Sequence, residues 1–152
     1  MGAKVSAMDV NGNSYEGRVT KDAKFYVDGL PSDRTPLTFK LDIPGHFTVE
    51  KTFTIGREGS LGEQQILSFL PAFAGDVNKD NLIDIDDAVY LKNHWKASDR
   101  NADINFDGTV DLKDMEYIKK NYLLENPTVK ADKNPKENAN GKTLEEILSE
   151  LE

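Results

Sequence analysis

Two acidic stretches, residues 76–87 and 103–114, constrain this chain more than any other feature. Each reads Asp-x-Asn-x-Asp over its first five positions, with an apolar residue at the eighth and Asp at the ninth and twelfth. Ca²⁺ is a hard cation that takes about 6–8 oxygen ligands, and a twelve-residue loop supplies them at this alternating spacing. The spacing assigns Asp76, Asn78, Asp80, the Leu82 carbonyl, Asp84 and Asp87 to one Ca²⁺. It assigns Asp103, Asn105, Asp107, the Thr109 carbonyl, Asp111 and Asp114 to a second. The sixth position needs a left-handed turn, which Gly108 provides in the second stretch. Asn81, the best residue there after glycine, provides it in the first. The first loop is therefore expected to be slightly more strained and to bind more weakly.

The copies match beyond these residues. At an offset of 27 (103 − 76), Val77 pairs with Ile104 and Ile83 with Val110. Ala88, Leu91 and Trp95 pair with Met115, Ile118 and Tyr122. The i, i+3, i+7 spacing puts each trio on one face of a helix leaving its loop, and the two faces can share a core. Tyr90 and Tyr117 also match, lie off that face and are candidates for partner contact. Pro71 and Gly75 stand where a helix entering the first loop would lie. Lys96 to Ala102, ahead of the second loop, has no apolar period. The unit is thus loop plus exiting helix, and each loop ends in Asp where a sensor loop has Glu.

Residues 3–74 read as β. Apolar and polar residues alternate through residues 37–43, 47–49 and 53–55, with Pro44-Gly45 as a turn. Weaker strands are expected at 3–10, 14–20, 25–28 and 64–70, which together make a small two-sheet sandwich. The motifs Phe25-Tyr26-Val27-Asp28-Gly29-Leu30-Pro31 and Ile43-Pro44-Gly45-His46-Phe47 resemble the carboxypeptidase-regulatory or prealbumin-like β-sandwiches. The X modules that precede some dockerins share that fold. With no Gly/Ser-rich linker at the join, the halves are expected to pack together.

Gly75-Asp76-Val77-Asn78-Lys79-Asp80, repeated as Asp103-Ile104-Asn105-Phe106-Asp107-Gly108, resembles a dockerin over residues 75–125. That resemblance implies an extracellular bacterial module that binds two Ca²⁺ and docks onto a cohesin domain. It also implies partner contacts at the tenth and eleventh loop positions, Ile85 and Asp86, and Leu112 and Lys113. Both pairs lack the small hydroxyl residues of type I dockerins. An apolar tenth position after an X-like module resembles type II better. The different charge of Ile85-Asp86 and Leu112-Lys113 argues against a binding mode flipped by 180°.

The remainder is polar. Residues 126–142 read as a flexible connection, and 143–152 as a short amphipathic helix. That helix has a Thr143–Glu146 capping box and an apolar stripe of Leu144, Ile147, Leu148 and Leu151. Docking on its own domain is the leading expectation, with binding to a partner and fraying as the alternatives.

The net charge is −8, from 27 acidic and 19 basic residues, which disfavours nucleic acid and anionic membranes as partners. There is no Cys, so disulfides and thiolate sites are excluded. No apolar run can span a bilayer. The start Met1-Gly2-Ala3, with no leader, is expected of a C-terminal piece of a longer protein.

His46 and His94 have no nucleophile or zinc spacing around them, and no catalytic constellation assembles. Trp95 and Tyr122 read as core. The sequence therefore leads to a monomeric, non-enzymatic two-domain chain: an all-β sandwich, then a small all-α calcium module. Its expected role is to anchor a secreted or cell-surface protein to a cohesin-type domain. An alternative is a calcium-stabilised C-terminal region of an extracellular hydrolase such as a protease, its dockerin-like unit packed intramolecularly. Carbohydrate binding by the sandwich is a third reading.

Overall fold

The computed structural model describes residues 2–31, 33–54 and 72–151. These fall into two units, one of residues 2–42 and 49–54, the other of residues 43–48 and 72–151.

In the first unit, period-two patterning becomes strand. β1 (Lys4–Asp9), β2 (Ser14–Val19), β3 (Phe25–Val27), β4 (Pro36–Asp42) and β5 (Val49–Thr54) form an antiparallel sheet of order β3-β2-β1-β4-β5. Ala7 lies opposite Phe39, and Leu37 opposite Phe53, so these side chains share one face. Ala7, Leu37 and Phe39 are buried there. Phe39 meets Phe53 edge to face at 5.5 Å. The other face is polar, and Thr38 and Thr52 share a hydrogen bond across it at 3.1 Å. Gly17 lies opposite Val27, where a Cβ would sit 2.4 Å from the Tyr26 carbonyl. Only a bare backbone admits β3 at that distance.

A two-sheet sandwich is expected from the strand count, but the described residues of this unit form one five-stranded sheet. The strand expected at 64–70 lies outside the described residues. The strand expected at 47–49 starts only at Val49. The reason is burial: Phe47 is sealed in the apolar cluster of the second unit.

The second unit has α1 (Ile85–Asn93), α2 (Leu112–Lys120) and α3 (Leu144–Ser149). It is not all-α. Short ladders join β6 (Leu82–Ile83) to β7 (Leu124–Glu125) and β8 (Asn138–Ala139) to β9 (Lys142–Thr143). Its core unites Ala88 and Leu91 of α1, Met115 and Ile118 of α2, and Val77, Ile83, Ile104 and Val110 from the loops. Trp95 and Tyr122 pack against this cluster too, but from the turns that follow the helices, which end at Asn93 and Lys120. Residues 43–48 join it through the backbone: Phe47 N donates to Phe73 O, and Gly75 N to Gly45 O, each at 2.8 Å. Gly45 has φ +73°, and a Cβ there would lie 2.8 Å from the Asn101 carbonyl.

Within residues 126–142, expected as a flexible connection, Asn126 is buried. Its Nδ2 donates to Thr48 O at 2.7 Å and to Asn81 Oδ1 at 2.9 Å. The Thr143–Glu146 capping box is present at the start of α3. Ile147 is buried in the same cluster as α1 and α2. Among the described residues no helix is long and apolar enough to cross a membrane.

Removing the largest fully buried ring of the sheet tests its core. Phe39→Ala is expected to lower the stability of the first unit by about 3–4 kcal/mol. The readout is a lower urea midpoint by far-ultraviolet circular dichroism, at unchanged slope.

Candidate metal loops and helix faces

The two acidic loops have one hydrogen-bond design, drawn twice. The first Asp accepts from positions five and six. Asp80 N and Asn81 N each reach Asp76 at 3.1 Å; Asp107 N and Gly108 N reach Asp103 at 3.1 and 2.9 Å. The third-position Asn accepts from position five, at 3.0 Å for Asn78 and 2.9 Å for Asn105. The fifth-position Asp accepts from position seven at 3.1 Å, Leu82 N to Asp80 and Thr109 N to Asp107. These short turns follow from Asx chemistry, in which a side-chain oxygen folds back on a nearby N–H.

The last Asp closes each loop. One oxygen of Asp87 accepts Val77 N at 2.9 Å and Asn78 N at 3.2 Å, and the other accepts Asp84 N at 2.9 Å. Asp114 does the same with Ile104 N, Asn105 N and Asp111 N at 2.7, 3.1 and 2.9 Å. Asp84 and Asp111 are the N-caps of α1 and α2, and each forms a reciprocal capping box with the Asp three residues on. Helix capping therefore fixes the interval between positions nine and twelve, whatever else the loops bind.

The backbone repeats as well. Left-handed residues recur at 27: Lys79 and Phe106 (φ 63° and 66°), Asn81 and Gly108 (68° and 94°), Lys96 and Leu123 (62° and 65°). The first and third pairs carry no glycine and were not legible in the sequence. Each loop also bonds to the segment leaving the other helix, Leu123 N to Ile83 O at 2.7 Å and Lys96 N to Val110 O at 2.9 Å. The two copies hold each other.

Asp76, Asp84, Asp87 and Asp114 are fully buried. Burial pushes the Asp76 carboxyl up to about 7 and that of Asp87 to about 8, outweighing the N–H donors that favour the charge. Burial raises Asp114 too. These are carboxylates short of positive charge. Among the described residues no three His, Asp or Glu side chains gather tightly enough to hold an ion by themselves. The carboxylates of each loop alternate with an Asn amide and a backbone carbonyl, and their oxygens are engaged by N–H groups. The full donor set is hard oxygen throughout, and its buried, charge-poor carboxylates fit a hard divalent cation.

The six expected partner-contact residues do not share one environment. Leu112, Lys113 and Tyr117 are exposed on α2. Their counterparts on α1 are not. Ile85 is fully buried, which corrects its expected exposure. Asp86 pairs with Lys136 at 2.6 Å and Lys133 at 3.5 Å, and Lys136 holds its carboxyl below the usual range. Tyr90 is half-buried and stacks on His94 at 4.3 Å. His94 Nδ1 pairs with the Tyr90 carbonyl, and His46 Nδ1 with the Pro44 carbonyl, so both imidazoles have packing roles. Lys133 also reaches Asp80 at 2.8 Å, and Lys136 N donates to Asp84 at 2.8 Å. No periodicity marks these lysines.

Residues 74–124 match the family model for the dockerin type I domain. Two solved structures of type II cohesin–X-dockerin complexes from Acetivibrio cellulolyticus, a C-terminal and an N-terminal interface mutant, contain a chain of similar fold. Each is 18% identical and covers 82% of this chain and 83% of the other, with TM-scores of 0.55 and 0.54. No curated protein matches. Residues 74–124, which hold both loops, are thus similar to a dockerin domain, and the chain shares its fold with a chain of the cohesin–X-dockerin complexes.

Proposed function

We propose that the chain is a non-catalytic docking module. It holds a secreted or cell-surface protein to a cohesin-type domain, and it does so in a calcium-dependent way. The duplicated loop carries this reading: two copies of one hydrogen-bond design bury carboxylates whose pKa that burial raises, within the residues that match the dockerin family. The similar folds come from complexes with cohesin, which supports the choice of partner.

In this reading Asp76, Asn78, Asp80, Asp84, Asp87 and the Leu82 carbonyl hold one Ca²⁺. Asp103, Asn105, Asp107, Asp111, Asp114 and the Thr109 carbonyl hold the second. The bound cations supply positive charge to the buried carboxylates. The protein's own part is positional. Asp87 and Asp114 tie the start of each loop to the first turn of its helix, so a filled loop sets the angle of the helix behind it. Ile83 and Val110 each accept from the segment leaving the other helix, Leu123 N and Lys96 N, so the helices are set together. The docking surface is the outer side of that helix pair. The proposed domains are an X module over residues 3–74, lending residues 43–48 to its neighbour, and a dockerin over 75–125 with a C-terminal extension.

Calcium withdrawal is the direct test. A chain stripped of metal is expected to lose helical circular dichroism and cohesin affinity together, and Ca²⁺ to restore both. Cohesin binding that survives in a verified calcium-free sample contradicts the calcium requirement. Asp114→Ala is expected to weaken calcium binding at least about tenfold at the second loop, by removing a buried carboxylate and the loop's closure.

Protons compete for the same carboxylates. In the ion-free fold Asp76 and Asp87 keep their protons to about pH 7 and 8. In the unfolded chain Asp loses its proton near pH 4. The ion-free fold therefore carries no penalty below about pH 4, loses stability as pH rises, and carries the full penalty above about pH 8. Its melting temperature is expected to be higher at pH 5 than at pH 8 by about 5 °C or more. Saturating Ca²⁺ should remove that difference.

A further inference from the structure

The 27-residue repeat sets equivalent positions on the outer sides of α1 and α2, yet their exposure differs. Leu112 is 48% exposed, and its counterpart Ile85 is 0% exposed. Tyr117 is 39% exposed, while Tyr90 is half-buried. Lys113 and Glu116 are exposed, while Asp86 and Val89 are half-buried. The backbones of the two copies are alike, so local structure does not create this contrast.

The C-terminal segment creates it. Lys136 pairs with loop and helix through its backbone as well as its side chain: its N–H donates to Asp84, and its carbonyl accepts Ile85 N at 3.3 Å. Lys133 and Lys136 take the charge of Asp86. Ile147 enters the cluster that holds Ile85, and Ala139, Leu144, Leu148 and Leu151 pack against it. Lys92 of α1 pairs with Glu150. This segment lies beyond residues 74–124, outside the part that matches the dockerin family.

We propose that residues 133–151 are an intramolecular cover over the first repeat, so that the chain docks through the α2 face alone. The proposal rests on the docking function inferred above. The occupant of the α2 face is a cohesin-type surface with an apolar centre bordered by carboxylates. The covered face indicates this chemistry. There, Asp86 meets lysines of the cover around apolar contacts. At the same register α2 carries Lys113, paired with Asp107 at 3.0 Å, and its exposed side adds Lys119 and Lys120 against the single acid Glu116, with Leu112 and Tyr117 beside them. A partner built like the cover would be repelled. An acidic one would fit.

The chain has no Cys, so single-cysteine variants label cleanly. In the calcium-loaded chain, Tyr117→Cys is expected to react with maleimide at least about tenfold faster than Tyr90→Cys. Adding Ile147→Asp, or Lys133→Glu with Lys136→Glu should the core not tolerate the first, is expected to raise the rate at position 90 and leave that at 117 unchanged. Equal rates with the tail intact overturn the cover.

Binding to a cohesin domain then tests its consequence. Leu112→Asp is expected to weaken binding about a hundredfold and Lys120→Glu about tenfold. Asn93→Glu, the equivalent of Lys120 on α1, should change it less than about threefold. Equal losses on the two helices overturn single-face docking. A chain that labels as expected but binds no cohesin overturns the docking function and leaves the cover standing.

Discussion

The second unit depends on where two carboxylates are put. Asp87 and Asp114 sit in the first turn of their helices, fully buried, and each gathers three backbone N–H groups from its own loop. That placement is costly for a charge, since burial first, and a neighbouring Asp after it, raises both carboxyls. The same contacts close the loop and cap the helix. An acidic loop on the surface would need none of this. A loop that is to tie a cation to a helix needs all of it.

The two repeats form one object. Each loop is bonded to the segment leaving the other helix, and the apolar faces of both helices meet in a single cluster. Neither loop–helix copy could bury its stripe alone, because nine-residue helices are too short to persist without packing. Residues 43–48 and Asn126 extend the same object, with Phe47 supplying a ring and Asn126 holding Thr48 and Asn81. Symmetry ends at the C-terminal segment, which packs on the outer side of α1 and leaves Leu112 and Tyr117 of α2 exposed, although Glu137 also accepts from Tyr122 of the second copy. A chain built by duplication thereby gains two unequal faces.

Much of this was legible in the sequence, and for definite reasons. The loops repeat in register, and a carboxylate at position twelve, three after a helix N-cap, has few structural alternatives. The apolar pairs Ala88 and Leu91 on α1, and Met115 and Ile118 on α2, follow from helical period, while Trp95 and Tyr122 reach the same core from the turns beyond the helices. The alternation across β4 follows from the pleat. The unread parts have equally physical causes. Phe47 reads as a strand residue because local pattern does not reveal which unit will bury it. Lys79 and Phe106 adopt left-handed backbone with no residue-type signal. Lys133 and Lys136 lie in a polar stretch, and their targets, Asp80, Asp84 and Asp86, are about fifty residues away in sequence.

By itself, the sequence determined the local chemistry: oxygen donors at alternate positions, caps at helix starts, apolar stripes of the right period, and a duplication that makes the two copies alike. Such features act between residues a few positions apart, so spacing is enough to specify them. Tertiary structure decided which of the equivalent surfaces remains available. Ile85 and Leu112 are apolar residues at the same register, one sealed and the other open. The difference arises from a segment that folds back over one repeat, a contact between distant residues that no local pattern encodes.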